Sequence, residues 1–446
     1  MKTENKNYLE LLGQSIKRSV TLKLISIFIL MLLLLIPLSF VESMIQERQT
    51  LRQDAITEVS SKWGNNQEVY GPILTIPVSK RVAVEDDIKT IRDEIHILPS
   101  DLDVKGEVMP KTLRRGIYEV VVYDAQLAFS GRFDSLNNYM SEFSDFEIHY
   151  EEAFLTIQIS DLRGIKEKVV VKWNGSDNEV TPGSTINSII ASGVTVKQIF
   201  KSNPEVLNRF SFNLNLQGSQ FLGFVPLGKE TRVNINSNWQ DPGFTGAFLP
   251  NEREVSETGF QAQWKVLELN RNYPQHWRGN KNMNELQKSM FGVNLLLPAN
   301  DYQKSMRSAK YALLAISLTF LTFFLVEIFN RKKLHPFQYI LIGLALVLFY
   351  TLLISISEHT NFNLAYLISS VIIISIIALY ARAILKSVKQ TTILVVILCF
   401  TYTFVFVTLQ LQDYALLIGS LGLTVILAFT MYITRKINWY TLSSEK

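Results

Sequence analysis

Five long apolar runs in succession, between Arg307 and Lys436, constrain this chain more than any other feature. They fall at 310–329, 337–355, 363–380, 391–408 and 415–434. A bilayer core takes roughly 20 helical residues at about 1.5 Å each. Every run is close to that length, and no soluble core needs five of them in a row. The charges between the runs alternate in kind. Arg331, Lys332 and Lys333 follow the first run, and Glu358 and His359 follow the second. Arg382, Lys386 and Lys389 follow the third, Leu409–Asp413 without any Lys or Arg the fourth, and Arg435 and Lys436 the fifth. Lys and Arg collect in cytoplasmic loops. The alternation therefore predicts that 330–336, 381–390 and the tail 435–446 lie inside, with 356–362 and 409–415 outside.

A sixth run occupies 21–41, behind a polar tail of residues 1–20 that carries Lys2, Lys6, Lys17 and Arg18. A cleaved signal peptide is the competing reading. The run is long for one, and Val41–Ile45 offers no small-x-small cleavage site. The expectation is an uncleaved signal anchor with its amino end inside, and a mature protein that keeps Met1–Phe40. Six spans, an even number, place both termini in the cytoplasm, in agreement with the charge alternation.

Composition is informative only by region. The net charge of +4 hides 29 Lys and Arg against 34 Asp and Glu in residues 42–307, and 15 against 6 elsewhere. The basic excess thus sits beside the spans, where it orients the chain and meets anionic headgroups. It is not a nucleic-acid footprint, and the lipid bilayer is the first partner. The only cysteine is Cys399, inside a span, so the chain forms no internal disulfide.

Residues 42–306 read as a stalk helix and a β-rich periplasmic domain. Met44, Leu51, Ala55, Ile56, Val59 and Trp63 fall near helical spacing, and Gly64 ends the stalk. Beyond it, Leu155–Ile159, Phe210–Leu216 and Val233–Asn238 alternate apolar with polar, the pattern of strands with one buried and one wet face. Val120–Val122 and Val169–Val171 read as buried strands. Gly71-Pro72, Asn174-Gly175, Pro182-Gly183 and Pro242-Gly243 mark turns. Short helices are expected at Ser135–Phe143 and Thr195–Lys201. The fold class is an α-helical six-span bundle plus an antiparallel, sandwich-like domain. The patterning leaves open one large sandwich or two lobes with a break near 200–206.

Chemistry-bearing motifs are missing from the sequence. It has no HExxH, P-loop, GxGxxG or GxSxG, and its five histidines are scattered. Acidic pairs such as Glu151-Glu152 read as solvated loops. No catalytic residue, cofactor or metal site is expected. Glu327, the ionisable residue of the second span, reads as an i,i+4 partner of Arg331 at the inner membrane edge. A coupled transporter keeps a charged group near the membrane centre, and none is visible here.

Three stretches stand out. Ser237–Pro250 with Arg253–Trp264 is dense in aromatics, Gly and Pro, and is read as a packed sandwich corner or a binding edge. Trp239 and Trp264 suit the corner; Arg253 and Glu254, being charged, suit the edge. Leu334–Tyr339 contains His335-Pro336, a helix start. Ser355–Thr360 contains Glu358 and His359, read as a polar interfacial turn or a pH-responsive contact.

Together with Gly71–Val78, Arg115–Tyr118 and Ser160–Ile165, these stretches resemble the CreD family of inner-membrane proteins. The resemblance covers nearly the whole length and implies a bacterial inner-membrane protein. It further implies a link to envelope integrity, to expression under a sensor kinase and response regulator, and to tolerance of some colicins and β-lactams. It supplies no catalytic residues. The expectation is a non-enzymatic factor in envelope integrity and stress response, contacting other envelope proteins or envelope polymers. A transporter or channel accessory with a ligand-gathering periplasmic domain, and a membrane-bound enzyme acting on envelope polymers, are the alternatives.

Overall fold

A computed structural model describes residues 20–84, 87–183, 192–200, 208–295, 301–329, 334–411 and 414–435. The chain divides into two compact units, Met1–Leu51 with Ala299–Lys446, and Arg52–Pro298.

The first unit is helical. Six helices are long and apolar enough to cross a membrane. They are α1 (Val20–Trp63), α5 (Ala312–Phe329), α6 (Pro336–Ser357), α7 (Phe362–Leu385), α8 (Val388–Gln410) and α9 (Ala415–Thr434). Of the three shorter α-helices among the described residues, α4 (Asp301–Lys310) belongs to this unit, whereas α2 (Asn137–Met140) and α3 (Met283–Lys288) belong to the second, as does α1 beyond Leu51. On α1, Ile27, Leu34, Leu38, Val41 and Ile45 are buried at steps of seven, four, three and four residues, one stripe of a helix, while Phe28, Ile29, Leu33 and Phe40 point outward. That stripe shares a core with Phe320 and Phe323 of α5 and Ile342 and Leu346 of α6. Gly343 lets α6 approach α1 closely, since a Cβ there would come within 2.2 Å of Leu34 Cδ1. Phe349, Tyr366 and Tyr402 pack ring against ring at 4.8–6.4 Å across α6, α7 and α8, and fill the space between those helices.

Glu327 has partners that its sequence neighbourhood does not suggest. Its carboxylate is buried and accepts from the Lys23 ammonium, 304 residues away. It also accepts from the Leu334 N–H at 3.1 Å and the Tyr339 hydroxyl at 3.2 Å, while Lys23 donates to the Leu334 carbonyl at 3.1 Å. Arg331 lies outside the described residues. A buried carboxylate needs a counter-charge and several donors, and this knot of α1, α5 and the start of α6 supplies both.

The second unit is built on β-strands. In chain order they are β1 (Gln67–Val84), β2 (Asp87–Ile97), β3 (Asp101–Arg115), β4 (Tyr118–Phe133), β5 (Glu147–Ile148), β6 (Phe154–Ile159), β7 (Val170–Trp173), β8 (Ser176–Glu179) and β9 (Thr181–Pro182). There follow β10 (Gly193–Val196), β11 (Asn208–Ser219), β12 (Phe221–Phe224), β13 (Glu230–Ser237), β14 (Pro242–Gly246), β15 (Glu252–Ser256), β16 (Gly259–Leu267), β17 (His276–Arg278) and β18 (Phe291–Leu295). One sheet runs β14-β18-β12-β1-β6-β10-β9, with β2, β5 and β17 attached. The other runs β15-β16-β13-β3-β4-β11-β7-β8. Leu74, Ile95 and Leu155 of the first and Val104, Leu127, Leu214 and Val233 of the second share one core, so the sheets face each other as a sandwich. The sheets are mixed rather than purely antiparallel: β1 pairs β12 and β3 pairs β13 in parallel. Of the candidate break near 200–206, residues 201–206 lie outside the described residues, and Arg52–Pro298 forms one unit.

Two local expectations meet different outcomes. Residues 137–143 are helical, as α2 and a 3-10 turn. Thr195–Lys201 does not start a helix: Thr195 and Val196 are buried in β10, paired with Thr156 and Leu155 of β6. Both residues are β-branched, and a buried ladder satisfies their backbone better than a short isolated helix.

α1 ends at Trp63, where the Gly64 N–H bonds the Ser60 carbonyl at 2.9 Å. The Ser160–Ile165 segment fixes that end. Arg163 grips Asp161 with two hydrogen bonds of 2.9 and 2.7 Å and donates a third, at 2.7 Å, to the Ser61 carbonyl. Asp161 also accepts from the Asn65 N–H at 3.0 Å, and the Arg163 guanidinium leads in holding its carboxyl at about 2. Gly164 is required by proximity, because a Cβ there would sit 2.2 Å from the Gln217 carbonyl.

Candidate binding face

The Trp239–Trp264 stretch leaves one sheet, pairs in the other as β14 against β18, and returns as the hairpin β15–β16. Trp264 is 2% exposed; its Nε1–H donates to the Phe248 carbonyl at 3.3 Å and its ring meets Phe244 and Phe291 at 5.7 and 5.6 Å. Trp239 is half-buried against the same core. Both tryptophans therefore serve the sandwich corner. Arg253 and Glu254 are exposed on β15, the last strand of its sheet, and adjacent strand residues point to opposite faces. Arg253 sits 6.0 Å from the Phe244 ring, whereas Glu254 borders a hollow on the other face. The structure separates these two charges instead of joining them in one site.

The remaining candidates are structural in their surroundings. His335 is the N-cap of α6: its Nδ1 accepts from the Phe337 N–H at 3.3 Å, and its own N–H donates to Gln338 Oε1 at 2.9 Å. Glu358 lies 3.4 Å from the Arg48 guanidinium of α1, and His359 beside it is exposed. His149, Glu151 and Glu152 bring ligand atoms within 4.8 Å of one another, but both carboxylates are exposed and His149 Nε2 meets Ser79 Oγ at 2.9 Å. That cluster is a solvated loop.

The outer face of the eight-stranded sheet is where unspent chemistry gathers. At one end the stalk covers it: Ile56, Val59 and Trp63 pack on Val120, Val122 and Leu113, and the Lys111 ammonium stands 4.1 Å from the Trp63 ring. Four residues beyond Val122 on β4, past Asp124 and its β3 partner Met109, Gln126 opens a region of carboxamides. One row crosses five strands in register as Gln261, Asn236, Glu107, Gln126 and Asn215. A second runs Gln263, Asn234, Lys105, Ala128 and Asn213. Neighbouring strands lie about 4.8 Å apart, so each row spans about 19 Å. Three hollows of about 440, 700 and 330 Å³ lie along this face. The middle one shares Asn236 and Gln261 with the first and Asn213, Asn215 and Glu167 with the third, which makes one trough. Among the described residues, Asn215 alone of the seven carboxamides donates from its side chain to another side chain, Glu167 Oε2 at 2.8 Å.

No motif in the sequence marks this face. Its signal was the identity of the wet half of each alternating strand: Asn213 and Asn215, Asn234 and Asn236, Gln261 and Gln263, where Lys, Glu or Thr would serve a solvated surface equally well.

The architecture defines a class: a polytopic membrane protein that carries a large β-sandwich domain between its first and second spans. Within that class the assignment is direct. A family model described as Inner membrane protein CreD matches residues 19–440. The Inner membrane protein CreD of Escherichia coli (strain K12) is 34% identical over 435 residues, which cover 95% of this chain and 94% of that protein. The chain belongs to the CreD family of inner-membrane proteins. It is multi-pass, embedded in the lipid bilayer, and its β-sandwich is the periplasmic domain.

Proposed function

We propose that this protein is a non-enzymatic envelope-maintenance factor whose periplasmic domain recognises an envelope component, a polymer or another protein, through the polar trough. The observation that carries this reading is the trough itself: a long concave face, dense in hydrogen-bonding groups that the fold does not consume. Ligand sites are concave, and the hollows of this face carry carboxamides that can both give and accept hydrogen bonds. The membrane bundle supports an anchoring role, because aromatic rings of α6, α7 and α8 occupy the space between those helices.

Complementation tests this proposal. A strain lacking the gene would receive the chain with Asn234, Asn236, Gln261 and Gln263 all changed to Ala. Abundance and protease resistance should stay normal, because surface changes usually cost within about 0.5 kcal/mol. Envelope protection should fall to the level of the empty vector. Full protection by that variant would reject the trough as the working surface and return attention to Arg253, Glu358 and His359. Arg253→Glu is the matched control and should retain protection.

A further inference from the structure

We infer that the trough takes an uncharged, hydroxyl-rich glycan chain; the inference rests on the recognition role proposed above and names its ligand class. Charge makes the first selection. Over the three hollows the charges balance, with Lys105, Lys168 and Lys172 against Glu107, Glu167 and Glu254. Anionic ligands such as nucleic acid, phospholipid headgroups or phosphorylated polymers need a basic surface, which this is not.

Apolar anchoring makes the second. Protein partners are held by buried aromatic or Arg anchors in dry pockets. The middle hollow has no aromatic residue among its lining, and the alternation of β3 and β4 turns Gly106 and Leu127 towards the core. Where this sheet face is covered by protein, at the stalk, its residues are apolar: Leu113, Val120 and Val122. The carboxamide part has the opposite chemistry and suits a wet interface.

Each carboxamide offers two N–H donors and a carbonyl acceptor, which matches hydroxyl and acetamido groups that both give and receive. The rows repeat every strand, at about 4.8 Å, a step comparable to one sugar ring. Three confluent hollows give the length for several rings in line. Single hydrogen bonds of this kind are weak, so affinity comes from their number.

Binding by the full-length protein in nanodiscs tests the inference, with three probes: a β-1,4-linked N-acetylglucosamine hexamer, a β-1,4-linked glucose hexamer and a heparin fragment. At least one neutral hexamer should bind saturably, with little dependence on salt. The isosteric pair Asn236→Asp with Gln261→Glu removes donors while keeping shape, and should weaken binding about tenfold or more. Preference for the acetamido hexamer assigns an N-acetylated chain as the source; equal binding assigns hydroxyl recognition alone. Failure of both neutral hexamers, preference for heparin, or binding unchanged in the isosteric variant overturns the ligand class. The same variant in the complementation assay separates the two proposals. Lost glycan binding with intact envelope protection rejects the envelope role and keeps the ligand. Lost protection without any glycan binding in the parent protein does the reverse.

Discussion

At the residue scale, His96 shows how completely the periplasmic core is closed. Its ring is buried, with Nδ1 2.9 Å from Thr75 Oγ1, Nε2 without a hydrogen bond, and the Trp277 ring 5.4 Å away. Burial lowers its pKa to about 4, against the opposing pull of Asp93. The unfolded chain therefore binds a proton near pH 6.5 that the folded domain refuses until about pH 4. Stability from this residue is complete above pH 6.5 and declines as pH falls towards 4, by about 3 kcal/mol. Protease susceptibility of the full-length protein across that window should flatten in His96→Gln; an unchanged acid slope would assign the sensitivity elsewhere. Trp264→Ala removes a buried ring that packs on Phe244 and Phe291 and should cost about 3–5 kcal/mol, read as a lowered unfolding temperature. Both tryptophans could be assigned to the corner from sequence, because large aromatics between Gly and Pro turns have few other uses. The separation of Arg253 from Glu254 could not, because it depends on strand phase.

At the element scale, the six apolar helices were readable because length and charge are local properties of the chain. The strands were readable for the same reason: alternation at Phe210–Leu216 and Val233–Asn238 is a property of single segments. Pairing is not. The parallel contact of β3 with β13 joins residues about 130 positions apart, and no segment carries its signature. The carboxamides are legible strand by strand, but their alignment into a trough is not, since it exists only once five strands are in register. The tie between α1 and α5 is a second non-local feature. Lys23→Met would leave Glu327 buried without its counter-charge, a change that typically costs about 3–5 kcal/mol. Lys23→Met with Glu327→Leu should recover much of that loss in a thermal unfolding assay in detergent. A double variant as unstable as the single would show that the apolar packing around the pair, and not the unpaired charge, is what matters.

At the scale of the whole molecule, the bundle and the sandwich divide the work: one holds the chain in the inner membrane and the other presents a surface to the periplasm. Topology follows from the Lys and Arg distribution. A reporter active only outside the cytoplasm should work when fused after Gly175, Asn361 or Asp413, and should fail after Lys333, Lys386 or Lys446. Activity at Lys386 would break the six-span arrangement. The central claim is that the periplasmic domain acts through its carboxamide trough, and site-specific photocrosslinking in intact cells tests it most directly. A photoreactive residue at Asn236 should capture an envelope component, whereas one at Leu269, exposed in a separate turn of the same domain, should not. Capture at Asn236 alone is the predicted result. No adduct at Asn236, or the same adduct at both positions, would contradict it.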